Sequence, residues 1–260
     1  MELKPITVNL NEYPNELHPY LDGVKLYDSS CSPEAKVIFI DKDSGYFLKS
    51  APRNSLKREA TMSQFFHSKG MTANVLYYLS DECDWMLTEK VHGNDGSTAK
   101  YIEQPERLCD LFAEQLTVLH STNFIGCPFP NCTELYIEQA KQLYHAGDFD
   151  HSRISKKGFT TAEEAFQIVE SCGHLLKNNT LIHGDYCLPN IIINDWKFSG
   201  FIDLGLSGVG DRHRDLFAAM VTFRLNLKTE KYNQRFFDAY GRDKIDEDML
   251  RVVAACEVFG

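Results

Sequence analysis

The sequence predicts an α+β fold of two lobes, strands first and helices after. Three observations predict it. Short apolar or alternating runs, parted by Ser/Pro and Asp/Gly turns, fill the chain as far as Thr88. Beyond Gly96 the apolar spacing changes to three and four residues, the period of helices buried along one stripe. Within that helical part sits a polar and acidic segment, residues 183–205, folded on a short hairpin. The predicted division is residues 1–88, a hinge over 89–96 that contains Gly93 and Gly96, and residues 97–260.

Each element has a local cause. Val24–Tyr27, Ala35–Ile40 and Tyr46–Lys49 are strand-like by alternation, as are Val75–Leu79 and Trp85–Thr88, and together they predict a small antiparallel sheet. Between them a helix is expected from near Ser55 to Gly70, where glycine suits a left-handed cap; Glu59, Met62 and Phe66 share one of its faces. In the second part Pro105 suits a first helical position, ahead of the stripe Leu108, Leu111, Phe112, Leu116 and Leu119. Thr161-x-x-Glu164 is a capping box before Ala165, Ile168, Val169 and Cys172. A strongly apolar helix is expected from Asp215 through Phe217, Met220, Val221 and Leu225. Asn190–Ile193 and Lys197–Ile202 predict two short strands turning at Asn194-Asp195.

The chemistry is concentrated in His183-Gly184-Asp185-Tyr186-Cys187-Leu188-Pro189-Asn190 and Phe201-Ile202-Asp203-Leu204-Gly205. An Asn follows Asp185 by five residues and a second Asp follows it by eighteen. Phosphoryl transfer of the kinase type needs these groups: one carboxylate beside the attacking hydroxyl, and an amide oxygen with a second carboxylate to hold Mg²⁺. Asp185 is therefore the candidate for the acceptor hydroxyl, Asn190 and Asp203 for the metal, and the expected fold is protein-kinase-like. His183 is expected to be structural, bonding nearby backbone. Strand alternation puts Phe47 and Lys49 on one face, the aromatic for a purine and the ammonium for its phosphates. Glu59, ten residues on, is placed to pair with Lys49. Ser29-Ser30-Cys31-Ser32 occupies the position of a nucleotide loop, with serines where a glycine cradle is absent: neither Gly-x-Gly-x-x-Gly nor a P-loop occurs there.

Composition bounds the rest. Hydrophobic residues make up 43% and charged residues 25% of 260, as in a globular protein with a large core. The formal net charge of −10 disfavours nucleic acid as a partner and favours cationic ones. No apolar run is long enough for a membrane span, and Met1-Glu2-Leu3-Lys4-Pro5 lacks the plan of a secretory signal, so a cytoplasmic protein with no membrane partner is expected. Eight scattered cysteines without a Cys-x-x-Cys pair predict reduced thiols rather than a zinc site.

These residues together resemble the aminoglycoside phosphotransferase family, and within it the 3'-phosphotransferases, over roughly residues 24–259. Gly208-Val209-Gly210-Asp211-Arg212-x-x-Asp215-Leu216, Glu257-x-Phe259 and Ser32-Pro33 before Ala35-Lys36-Val37 extend the match. The resemblance implies ATP or GTP with Mg²⁺, and transfer of the γ-phosphate to a hydroxyl of a cationic aminoglycoside, which confers antibiotic resistance. It implies a nucleotide site of Lys49, Glu59, Phe47, Ser32, Thr88, Lys90 and Ile202. It implies substrate contacts from Glu257, Phe259, Asp148 and Asp150, and a structural role for Asp215 in bracing the catalytic loop. Three departures bear on the substrate. Leu206 stands where relatives commonly carry Arg, and residues 147–157 mix two Asp with three basic residues where relatives are acidic; Gly260 also follows Phe259 and shifts the chain end. The rival readings are a related kinase for choline, a sugar or an amino alcohol, and a non-catalytic nucleotide-binding pseudokinase.

Overall fold

The computed structural model describes residues 4–260. The chain divides into two compact units. The first runs as far as His92 and takes in Ser199–Gly205; the second comprises Gly93–Phe198 and Leu206–Gly260.

The first unit is built on a six-stranded antiparallel sheet. In spatial order its strands are Lys4–Ile6, Lys25–Asp28, Lys36–Asp41, Tyr46–Pro52, Cys83–Glu89 and Val75–Ser80. All five strands expected from alternation form, and the edge strand Lys4–Ile6 adds a sixth. Ile38, Leu48 and Leu87 stand opposite one another across three strands. They face a core completed by Leu17 and Leu21 from the N-terminal segment. The other face carries Phe39, Phe47 and Thr88 in one row and Lys49 with Met86 in the next. The helix Lys57–Ser68 covers part of this face, burying Ala60 with Leu56, Val75 and Met86. Asp84, fully buried, accepts the backbone N–H of Asn54 and of Leu56, both at 2.8 Å, and so fixes the chain's entry into that helix.

The second unit is mainly helical. Pro105–Ser121 begins with its proline in the first turn, where no N–H is required. Ala162–Cys172 carries the expected capping box: Glu164 N–H donates to Thr161 Oγ1 at 3.1 Å, and the Glu164 carboxylate accepts the N–H of Thr160 at 2.9 Å. The helix expected from Asp215 starts earlier, at Arg212, because Asp211 caps it by accepting the N–H of His213. Cys132–Ala146, Asn233–Tyr240 and Glu247–Cys256 are further helices, and Ala99–Ile102 and Ser152–Lys156 are short ones; none of the five was expected from the sequence. Phe112, Tyr186, Phe223 and Phe236 pack as one buried aromatic cluster.

Two small sheets support the loops of this unit. Thr180–Ile182 pairs antiparallel with Gly208–Gly210, and Asn94–Asp95 pairs with Ile191–Asn194. The predicted hairpin forms with its first strand shifted by one residue, to Ile191–Asn194, because Leu188–Asn190 is a 3₁₀ turn; its second strand, Lys197–Phe201, ends one residue before Ile202. Its tip is tight: Asp195 and Trp196 both have positive φ, 46° and 63°, as a type I′ turn requires. At the first residue of the second unit, Gly93 has φ +126° and lies against the Ile193 carbonyl, so a side chain there would collide with backbone.

Candidate active site

Lys49 is the centre of the site in the first unit. Its Nζ lies 2.7 Å from Glu59 Oε2 and 3.1 Å from Asp203 Oδ1. Burial alone would lower the Lys49 pKa, but the Glu59 and Asp203 carboxylates outweigh it and raise the pKa above its ordinary value. The ammonium therefore stays charged. Burial pushes the Glu59 carboxyl up, with Lys49 opposing. Asp203 reaches this group through local packing of its segment. Phe201 donates its N–H to Met71 O and accepts from Thr72 Oγ1, and its ring meets Phe66 edge-on. That packing is why residues 199–205 belong to the strand-rich unit, although they follow the helical part in sequence. Asp203 itself sits at φ +59° with its side chain half exposed, and only its Oδ1 engages Lys49.

Phe47 stands opposite Phe39 and Thr88 on the face that carries Lys49, with the Phe39 and Phe47 rings 5.2 Å apart. Lys90 lays its ammonium 5.2 Å from the Phe39 ring, and Ile202 is an exposed apolar residue. Ser32 is exposed, and its hydroxyl bonds the Glu34 carboxylate. The loop is closed by other residues, Ser30 Oγ accepting the Val37 N–H and Asp28 accepting the Ser30 N–H.

In the second unit the loop His183–Asn190 is held from below by the helix Arg212–Leu227. Asp215, fully buried, accepts the N–H of His183 on Oδ2 and of Gly184 on Oδ1, each at 2.8 Å. His120 Nε2 lies 3.1 Å from Asp215 Oδ2, and its Nδ1 is 2.7 Å from Tyr240 O–H. A neutral imidazole satisfies both contacts, donating from Nε2 and accepting at Nδ1. Burial drives His120 towards that neutral form. Burial would raise the Asp215 carboxyl, but bonds from His120 and the His183 backbone hold it below the usual range. Two helical turns on, Thr222 Oγ1 accepts the Leu188 N–H at 3.1 Å. Gly184 takes φ +85° against the Leu206 carbonyl, a position only glycine fills.

This bracing presents Asp185. Asn190 Nδ2 donates to Asp185 Oδ2 at 2.9 Å and to its backbone carbonyl at 3.1 Å. With the amide nitrogen spent there, the group left on Asn190 is its acceptor oxygen, Oδ1. His183 is buried and its Nδ1 accepts the Asp185 N–H at 3.3 Å, the structural role expected of it.

Asp185 borders a cavity of about 420 Å³, whose walls include Glu257, Lys157, Arg214, Tyr136 and Leu206. Glu257 is held on both oxygens, by Tyr136 O–H at 3.0 Å and by Lys157 Nζ at 3.3 Å. The other residues expected to meet substrate lie elsewhere. Phe259 is buried, only 2% exposed, among Tyr144, Phe149 and Phe166, because the last turn folds into the helical core. Asp150 spends both oxygens on Ser152, and neither it nor the exposed Asp148 lines the cavity.

The sequence profile of the phosphotransferase enzyme family (APH) matches residues 23–253. A probable aminoglycoside 3'-phosphotransferase of Lactococcus lactis is 46% identical over 259 residues, 99% of each chain. An aminoglycoside 3'-phosphotransferase of Niallia circulans is 31% identical, over 82% of this chain and 83% of its own. Among solved structures, an aminoglycoside-3'-phosphotransferase of type VIII superposes with a TM-score of 0.77 at 21% identity, covering 96% of both chains. An aminoglycoside phosphotransferase of Streptomyces rimosus in complex with ADP and streptomycin gives 0.72 at 19% identity, over 97% of this chain and 99% of that one. The architecture is thus the kinase-like α+β fold of these enzymes. By the extent of the profile match and the identity to its relatives, the chain belongs to the phosphotransferase enzyme family.

Proposed function

We propose that this protein transfers the γ-phosphate of ATP or GTP to a hydroxyl of an aminoglycoside, the 3'-hydroxyl by analogy with the names of its relatives. The observation that carries the reading is Asp185, oriented by Asn190 and facing a cavity with Glu257 on its wall. The relatives support the substrate class, since curated proteins similar over most of their length are named aminoglycoside 3'-phosphotransferases.

Asp185 accepts a hydrogen bond from the acceptor hydroxyl and takes its proton. The freed oxygen bonds to the γ-phosphorus, and the bond to the bridging oxygen breaks with its electrons leaving on the nucleoside diphosphate. Such a transition state is loose, so position and charge contribute more than base strength. Lys49, kept charged and aimed by Glu59, meets phosphate oxygens, and Phe47 and Thr88 offer a surface for the base. Asn190 Oδ1 and the half-exposed Asp203 carboxylate are oxygen donors suited to a hard divalent cation; Asp203 and Glu59 around one ammonium leave a net negative charge. When bound there, Mg²⁺ would neutralise phosphate charge. Ser32, Lys90 and Ile202 are assigned to the rim of the nucleotide site, and Glu257 to a substrate amine.

A coupled assay of nucleoside diphosphate release across an aminoglycoside panel tests the reading. Turnover that Asp185→Asn reduces by about three orders of magnitude or more, as loss of positioning and base together would give, is expected. Turnover of choline or a simple sugar with no aminoglycoside used would overturn the substrate assignment.

A further inference from the structure

The cavity beside Asp185 contains its own cations. Lys157 Nζ lies 3.3 Å from Glu257 Oε2 and 4.7 Å from the centre of the Phe217 ring. The pair is shielded, with side chains 13% and 26% exposed. Arg214 stacks its guanidinium 4.3 Å from the centre of the Tyr136 ring, and its Nε is buried with no hydrogen-bond partner among the described residues. Two carboxylates, Asp185 and Glu257, therefore share the walls with two fixed cations. Glu257 is already satisfied on both oxygens, so a substrate ammonium that approaches it must share Oε2 with Lys157. In a site partly closed to water that like-charge approach is costly.

We propose that Lys157 is a specificity-determining residue: its ammonium, seated on Glu257 in the Asp185 cavity, neutralises that carboxylate and biases the enzyme against acceptors bearing many ammonium groups. The inference rests on the aminoglycoside reading above. It makes the cavity wall, rather than the catalytic loop, the determinant of substrate range. The occupant favoured is an acceptor with few amines near the reacting hydroxyl.

The test is steady-state kinetics of Lys157→Met across aminoglycosides graded by amino-group number, from kanamycin to neomycin. Losing one competing charge in a shielded pair is expected to lower KM on the order of ten-fold for the most highly aminated acceptor. The gain shrinks as amines are removed, and KM for ATP stays unchanged. Lys157→Gln provides the same loss of charge if the methionine variant does not fold, and Lys157→Arg, which keeps the cation, retains wild-type KM values. Glu257→Gln leaves Lys157 without its counter-charge and raises KM. Equal aminoglycoside KM values in folded Lys157→Met, Lys157→Gln and wild-type protein overturn the inference alone. No aminoglycoside turnover by either wild type or variants overturns the substrate reading and the inference with it.

Discussion

Replacing Asp215 by Asn tests whether the catalytic loop is held by one buried carboxylate. Asp215 accepts two backbone N–H groups at 2.8 Å and faces His120 at 3.1 Å, with no exposure to water. Asparagine has one acceptor oxygen and one donor nitrogen. If its oxygen serves Gly184, its NH₂ points at the His183 N–H, which becomes a buried donor facing a donor. His120 adapts by exchanging tautomers, accepting at Nε2 and donating from Nδ1 to Tyr240, so that contact survives in neutral form. The net loss is one charge-assisted bond and one unsatisfied N–H, about 3 kcal/mol from losses of roughly 1.5–3 kcal/mol for the first and 1–3 for the second. For a cooperative unit of this size that corresponds to a fall in Tm of about 6–12 °C. Calorimetry or circular dichroism of the purified variant measures it. A Tm within about 2 °C of wild type, on the same scale, would show that the loop is held by other contacts and refute the reasoning.

Acid should weaken the same cluster from the histidine side first. The folded state holds His120 below its ordinary pKa of about 6.5, so its contribution to stability is complete above that value and is lost as pH falls below it. Asp215, also depressed, adds its loss only below the ordinary carboxylate value of about 3.9. Tm measured between about pH 7.5 and 5.5 should therefore fall in wild type and fall less in His120→Gln. Gly184→Ala should cost several-fold more activity than stability loss explains, because its Cβ meets the Leu206 carbonyl and displaces Asp185; wild-type kcat in that variant would contradict the assigned strain.

Much of this was legible along the chain because its causes are local. Alternation placed Phe47 and Lys49 on one face, and the capping box at Thr161 and Glu164 formed. A 3₁₀ turn over Leu188–Asn190 folds the last of the five residues after Asp185 back onto it, which explains why the amide reaches the carboxylate. What was not legible depends on partners distant in sequence. Asp84 lies in the acidic run Asp81-Glu82-Cys83-Asp84, which carries no sign of a buried acceptor for the N–H of Leu56. Phe259 resembles a substrate residue by motif, yet its neighbours Tyr144, Phe149 and Phe166 make it core. Lys157 stood in a mixed-charge stretch whose contact with Glu257, a hundred residues away, only the fold supplies.

The helix Arg212–Leu227 has a consequence for how this protein can vary. Asp215 grips the start of the catalytic loop and Thr222 its end, seven residues or about 10.5 Å apart along the axis. A rigid ruler of that length admits only one number of residues between Gly184 and Leu188. An insertion or deletion there would leave a buried N–H without its acceptor, whatever the inserted residue. The loop is thereby closed to change by length, and diversification is directed to positions that grip nothing, such as the exposed Leu206 and Leu225 at the cavity margin. Related enzymes with new substrate ranges are expected to differ there, while the count of residues between the two anchors stays constant.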